Sequence, residues 1–204
     1  MENKRRTPIQ ERARATVEVL LEATAQILVE LGYARLSTNR VARRAGVSVG
    51  TLYQYFPNKD ALVEALAHRV SEGQAEVIIT QLQQTHDQSL EVAIRGLIQG
   101  IIASKRVEPE LAAALASEVP RNGRLDLEQA TLRRVCDVAS AALRRRSDIR
   151  PVDPELASFA LVHSIFAVIQ RALQARPELI DDDDLGEILA EMCIRYLSPD
   201  PGGS

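Results

Sequence analysis

Tryptophan is missing from the 204 residues, and aromatic side chains together make up 3 % of them. Sheets draw on aromatic and β-branched residues, so this scarcity, beside abundant Ala, Leu, Arg and Glu, favours an all-helical chain. Cysteine is almost as rare. Cys136 and Cys193 stand far apart in apolar stretches, no CxxC pair occurs, and His68, His86 and His163 are scattered. That pattern spells neither a disulfide framework nor a metal site, and reads as buried thiols in a reducing cytosol. A redox-sensing thiol is the alternative, and it requires exposure and a low pKa. The N-terminal MENKRRTPIQERAR has no apolar signal core, and the longest uncharged run of the helical body, 156–170, falls short of the roughly 18 residues of a membrane span. Walker loop, GxGxxG, HExxH and GxSxG are all absent. His163 and Ser164 adjoin in sequence, but neighbours on a helix do not face each other. These absences lead to the expectation of a cytoplasmic, non-enzymatic protein with no cofactor, no metal and no membrane contact.

Apolar residues, at 46 %, suffice for a sizeable core in one or two domains. Charge is distributed unevenly. The first 60 residues carry ten Lys+Arg against six Asp+Glu, whereas the whole chain is −3, so the remaining 144 balance at −7. A basic head on an acidic body is a nucleic-acid footprint confined to one end.

Within that head, residues 38–59 read TNRVARRAGVSVGTLYQYFPNK. The spacing predicts a helix, a tight turn and a second short helix. Ala42 is small enough for two helices to cross closely. Gly46 falls where the first helix must end in a left-handed residue. Val47 points back into a small core, Ser48 caps the second helix, and Leu52 lies on its inner face. The outer face then holds Val49, Gly50, Thr51, Tyr53, Gln54 and Tyr55, small, hydroxyl and aromatic groups suited to a major groove. Thr38 is read as the cap of the first helix, offering a hydroxyl and free N–H groups to a phosphate, and Lys59 as a second phosphate ligand. On spacing alone an ordinary helical hairpin fits as well; the flanking groups and the local charge favour DNA.

AGVSVGTLYQYFPNKDAL closely resembles the DNA-binding signature of the tetracycline-repressor (TetR) family of bacterial transcription regulators. The similarity runs over about residues 10–66, and the remainder matches in length and helical character. The resemblance implies that Thr38, Tyr53 and Lys59 hold phosphates while Asn39, Val49, Gly50, Thr51, Gln54 and Tyr55 lie toward the bases. One departure is that Val49 and Gly50 have no hydrogen-bonding side chains, so base reading should lean on Asn39, Thr51 and Gln54. Gly50 would admit a close backbone approach, at a helix cost of about 1 kcal/mol.

The expected architecture is a three-helix helix-turn-helix domain over residues 1–57, with 1–10 a basic arm, followed by a larger helical effector-binding and dimerisation domain over 58–204. Helical periodicity marks 11–31, stopped by Gly32, a fourth helix from Asn58 that links head to body, and later helices over 89–105, 109–117, 125–146, 155–175 and 185–197. Segment 155–175 is apolar nearly all round, which predicts burial on both sides. Paired with the last helix against a second copy, it would form a four-helix bundle, as it does in the resembled family. The expected interface residues are Phe166, Ile169, Leu173, Ile188, Met192 and Tyr196. Few aromatics and many Ala and Leu suggest a ligand-filled pocket among helices four to eight, with Gln99, Ser140 and His163 as candidate orienting groups. The acidic run 181–184 reads as a helix cap rather than a metal site.

The function expected from these features is a homodimeric repressor released from a palindromic, inverted-repeat duplex operator by a small-molecule effector of unknown identity. An effector-independent or co-repressor-dependent DNA-binding protein, or an activator, remains the alternative. An architectural DNA-binding protein should be small and basic throughout, and an all-α enzyme should show convergent polar groups.

Overall fold

A computed structural model describes residues 8–84, 87–117 and 124–199. The arm with Lys4, Arg5 and Arg6, the loop at 120–123, His86 and the tail from Asp200 onward lie outside the described residues. Within them the chain forms ten helices and no strand. They are α1 (Pro8–Arg35), α2 (Thr38–Ala45), α3 (Val49–Tyr55), α4 (Lys59–Gln84), α5 (Leu90–Arg106), α6 (Pro109–Ser117), α7 (Arg124–Arg144), α8 (Pro154–Ala175), α9 (Glu178–Asp181) and α10 (Asp183–Leu197).

The punctuation residues mostly act where the sequence places them. Gly32 has φ 73° and ψ 165°, a conformation essentially restricted to glycine, so α1 breaks there and resumes for one further turn to Arg35. Ser89 caps α5 by accepting from the Val92 N–H, Asp153 caps α8, and Asp182 caps α10 by accepting from the Asp184 N–H at 3.0 Å. Asn58 does the same for α4, its Oδ1 taking the Ala61 N–H at 2.8 Å. The four-residue α9, seated after Pro177, has no counterpart in the sequence reading.

Three apolar clusters hold the helices together. The first joins Leu20, Ile27 and Leu28 of α1 with Val41, Leu52, Phe56, Leu62 and Leu66, and it also takes in Leu111, Ala114 and Leu115 of α6. The second collects Ile98 and Ile102 of α5, Ile169, Ala172 and Leu173 of α8, Ile180 of α9, and Leu189 and Ala190 of α10. The third links Ala75 and Ile79 of α4 to Val135 of α7. The first half of α4 therefore belongs to the head core and its second half to the body. A boundary at 57/58 divides the sequence but not the packing. Arg69 to Glu18 at 3.1 Å, and Arg134 to Glu72 and Glu76, tie α4 to α1 on one side and to α7 on the other.

α8 is apolar enough that one chain does not cover it. By length and composition it would pass as a membrane span, with a mean hydropathy of 1.6, even though its uncharged run is short. Only 28 % of that apolar window is buried within the chain. Ala157, Ser158, Ile169, Ala172 and Leu173 face inward, whereas Leu156, Phe159 and Val168 are exposed. One chain covers one face of α8 and leaves the other open.

Candidate nucleic-acid interface and effector cavity

The head builds its outer surface from two short helices crossing at Ala42 and Leu52, both buried. Gly46 closes α2 at φ 69° and ψ 24°, and the Val47 N–H returns to the Ala42 carbonyl at 3.0 Å. Ser48 then caps α3, its Oγ taking the Thr51 N–H at 2.9 Å. With Leu52 turned fully inward, Val49, Gly50, Tyr53 and Gln54 are left exposed on the opposite side.

Several expected site residues sit differently from their sequence reading. The N-cap of α2 is Ser37, in extended backbone, with its Oγ accepting from the Arg40 N–H; Thr38 is the first helical residue. The Thr38 hydroxyl instead lies 3.1 Å from the Tyr53 hydroxyl, so two hydroxyls from α2 and α3 form one paired surface feature. The Thr51 hydroxyl is drawn back to Ser48 Oγ at 2.8 Å and is taken up by the cap. Tyr55 is half-buried against the head core rather than fully outward. Asn39 and Gln54 remain exposed, and neither side-chain amide has a partner among the described residues. A Cβ built on Gly50 would meet Ser48 Oγ at an ordinary 3.7 Å, so packing within the protein does not require glycine there.

Lys59 is held more firmly than its sequence suggests. Its Nζ donates to the Tyr33 carbonyl at 3.0 Å and lies 4.1 Å from the Tyr33 ring centroid. The Tyr33 hydroxyl donates to Asp60, and that carboxylate pushes its pKa up to about 12. Tyr33, just after the Gly32 break, thus fixes the start of α4. Its position immediately beyond the glycine was the available signal. Among the nearby cations, Arg44 forms a two-pronged pair with Glu30 at 2.8 and 2.6 Å, which ties α2 to α1. Arg40 and Arg43 are exposed without an acidic partner among the described residues.

A cavity of about 170 Å³ lies in the body between α4, α5, α7, α8 and α10. Its walls are largely aliphatic, including Ile78, Leu97, Ile101, Leu143, Val162 and Ile165. No described side chain of α6 lines it, and α10 supplies Cys193 and Leu197, which differs from the expected set of helices. The three expected orienting groups all miss it. Gln99 is exposed on the far side of α5, and Ser140 is buried in α7 with its Oγ unpartnered. His163 turns its Nδ1 toward the Phe159 carbonyl at 2.9 Å and Cys136 Sγ at 3.9 Å. The polar lining comes instead from residues such as Gln74, Lys105, Thr131 and Arg146. Lys105 carried a readable signal, because it continues the spacing of Ile94, Leu97, Ile98 and Ile101 along one face of α5.

Burial pushes both thiols up, that of Cys193 to about 11, opposite to the needs of a redox sensor. No group of three or more His, Cys, Asp or Glu able to hold a metal occurs among the described residues.

The expected dimer residues divide into two sets. Ile169 and Leu173 are closed inside their own chain's second cluster, and Phe166 lines the cavity. Ile188, Met192 and Tyr196 stand exposed at a spacing of four along α10.

The profile of bacterial regulatory proteins of the tetR family matches residues 20–66, and that of the Tetracyclin repressor-like C-terminal domain matches 89–197. An uncharacterized HTH-type transcriptional regulator of Mycobacterium tuberculosis is 37 % identical over 75 residues, which cover 37 % of this chain and 38 % of that protein. The nucleoid occlusion factor SlmA of Haemophilus ducreyi is 30 % identical over 107 residues, covering 52 % and 50 %. The chain thus spans half or less of the length of these curated relatives. Among solved structures, SmeT, the repressor of the Stenotrophomonas maltophilia multidrug efflux pump SmeDEF, superposes with a TM-score of 0.72 at 23 % identity, covering 94 % of this chain and 95 % of that one. A regulator from Streptomyces coelicolor gives 0.68 at 26 % identity, covering 91 % and 97 %.

Proposed function

The chain belongs to the tetR family of bacterial DNA-binding transcriptional regulators, and from that premise we propose that it is a dimeric repressor released from an inverted-repeat operator by a small effector bound in the body cavity. No catalytic role is assigned to any residue, and a regulator of DNA acts in the cytoplasm. The observation that carries the reading is one shared helix. α4 contributes Leu62 and Leu66 to the head core and Ser71, Gln74, Ala75, Ile78 and Leu82 to the cavity wall. A ligand that shifts the cavity half of α4 therefore shifts the start that Asn58 and Lys59 anchor in the head. Two heads fit two successive major grooves at one spacing only, so the ligand favours a state that no longer fits. By linkage, operator and effector weaken each other by the same factor.

In this reading α3 enters the major groove, with Asn39 and Gln54 supplying base-directed amides and Thr38 and Tyr53 holding phosphate. Lys59 contributes to phosphate binding through the donors left over from Tyr33. Val49, Thr51 and Tyr55 line the groove with apolar surface. Gly50 lets the backbone approach, and that role has a distinctive signature. Gly50→Ala should raise thermal stability, since alanine favours a helix by about 1 kcal/mol and meets no clash, while lowering operator affinity. Melting curves and fluorescence anisotropy on the same preparation check the opposed signs. If affinity is unchanged, no close approach occurs at Gly50. Gln54→Ala should instead relax base preference at one position per half-site, by about 1–3 kcal/mol if the amide is bidentate on a base. Binding to a panel of single-substituted operators measures it.

The effector half of the proposal is tested by thermal melting against a panel of apolar, anionic and cationic small molecules. Compounds that raise the melting temperature should displace a fluorescent operator duplex. A panel of stabilising compounds that all leave operator binding intact would refute release by effector.

A further inference from the structure

The cavity is aliphatic except for a few polar groups, and most of those are already satisfied by the protein. Thr131 Oγ1 donates to Glu72 at 2.7 Å, Ser104 Oγ to the Ile101 carbonyl at 2.7 Å, and Ser158 Oγ to the Glu155 carbonyl at 3.0 Å. Among the described residues the lining contains two cations and no carboxylate. Arg146 is neutralised by Asp148, with bonds of 2.8 and 2.6 Å, and a third bond to the Gln88 carbonyl. Lys105 is not neutralised. Its Nζ donates to the neutral amide oxygen of Gln74, across from α5 to α4, and has no acidic partner among the described residues. A desolvated ammonium with one neutral acceptor is costly unless something completes it. Burial pushes its pKa down to about 8, in keeping with a charge held in apolar surroundings.

We propose that the cavity takes a small amphiphile with one aliphatic body and a single carboxylate-type anionic head, and that this head sits on Lys105. The inference rests on the reading of the cavity as the effector site and narrows the effector to a chemical class. The aliphatic walls accept the body, and a cavity of about 170 Å³ is close to the size that holds one small apolar molecule. The anionic head supplies the counter-charge that the described residues do not. A cationic ligand would place like charges together, and a neutral one would leave the ammonium unpaired. Lys105 also contacts Gln74 on α4, so neutralising it acts directly on the helix that carries the head.

The test uses three probes of one length on the full chain: octanoate, octan-1-ol and octylammonium, titrated by calorimetry. Octanoate should bind at least tenfold more tightly than octan-1-ol, and octylammonium most weakly. Lys105→Met should remove the preference for octanoate while retaining octan-1-ol binding, and Lys105→Arg should restore it. Lys105→Met should also melt no lower than the parent, because it removes an uncompensated charge, so a folding failure does not account for lost binding. Equal binding of octanoate and octan-1-ol to the parent, or an unchanged preference in Lys105→Met, would overturn the assignment of an anionic ligand and leave the cavity reading standing. Binding of none of the three would overturn both.

Discussion

Phe159→Glu combined with Met192→Glu should convert the protein to monomers and lower operator affinity at least a hundredfold. Phe159 is 57 % exposed and Met192 52 %, beside Leu156 at 65 % and Ile188 at 56 %. Along α8 the open face continues through the small residues Ala160, Ser164 and Ala167, which let a second helix approach closely. Along α10 it continues as Ile188, Met192 and Tyr196, one turn apart. Exposed apolar faces of this kind on two long helices fit the proposed interface, in which a second copy of the same pair would complete a four-helix bundle. Two-fold symmetry places each new glutamate in the contact twice, unpaired and desolvated. A monomer then engages one half-site at a time and loses the effective-concentration gain of linked heads, roughly 10²–10⁴. Light scattering after size exclusion reads the mass, and anisotropy reads the affinity. A dimer that survives both substitutions would place the interface elsewhere. Ile169→Glu, at a residue expected in the interface, would be a poor test, because Ile169 is 3 % exposed within its own chain and charging it attacks the fold.

Thr38→Ala with Tyr53→Phe should cost about a hundredfold in operator affinity, uniformly across sequences. The two hydroxyls lie 3.1 Å apart on adjoining helices and can clasp one phosphate together. Because the two hydroxyls bond to each other, each clasp has one proton left for the phosphate; losing one bond of about 1.5 kcal/mol, the lower end for a charged acceptor, at each of a dimer's two clasps comes to about 3 kcal/mol, or a hundredfold. The uncharged hydroxyls release no counterions, so the slope of log affinity against log salt should stay as it was. Arg40→Gln and Arg43→Gln should do the reverse and flatten that slope, by about one for each guanidinium that no longer neutralises a phosphate. Anisotropy titrations between low and moderate salt separate the two behaviours. A double hydroxyl variant with weaker affinity for some sequences only, or with a flattened slope, would contradict a neutral phosphate clasp. Protein stability should change little, since both hydroxyls are at the surface.

The head was legible because its determinants are local. Ala42, Gly46, Ser48 and Leu52 fix the crossing, the turn, the cap and the inner face within eleven residues, and each does in the structure what its chemistry suggests. The misreading of Thr38 as a cap shows the limit of that logic. Ser37 and Thr38 are both capping residues, and only the backbone, extended at Ser37, decides between them. The cavity was less legible, since its walls come from five helices whose rotations depend on one another. Gln99 follows Ile98 directly and so falls on the opposite side of α5, a fact that periodicity gives only once Ile98 is known to face inward. For α8 the sequence showed that two apolar faces needed cover. It did not show that Ile169 and Leu173 would take the inner one and Phe159 and Val168 the outer.

In vitro selection from random duplex DNA tests most directly whether α3 reads DNA as one half of a symmetric pair. Sequencing of the retained duplexes should return an inverted repeat whose half-sites lie about one helical turn, or a multiple of it, centre to centre. The Gln54→Ala protein should return the same repeat with one position per half degenerate. Recovery of a single unpaired half-site, or of no common sequence, would contradict a dimeric operator-binding regulator.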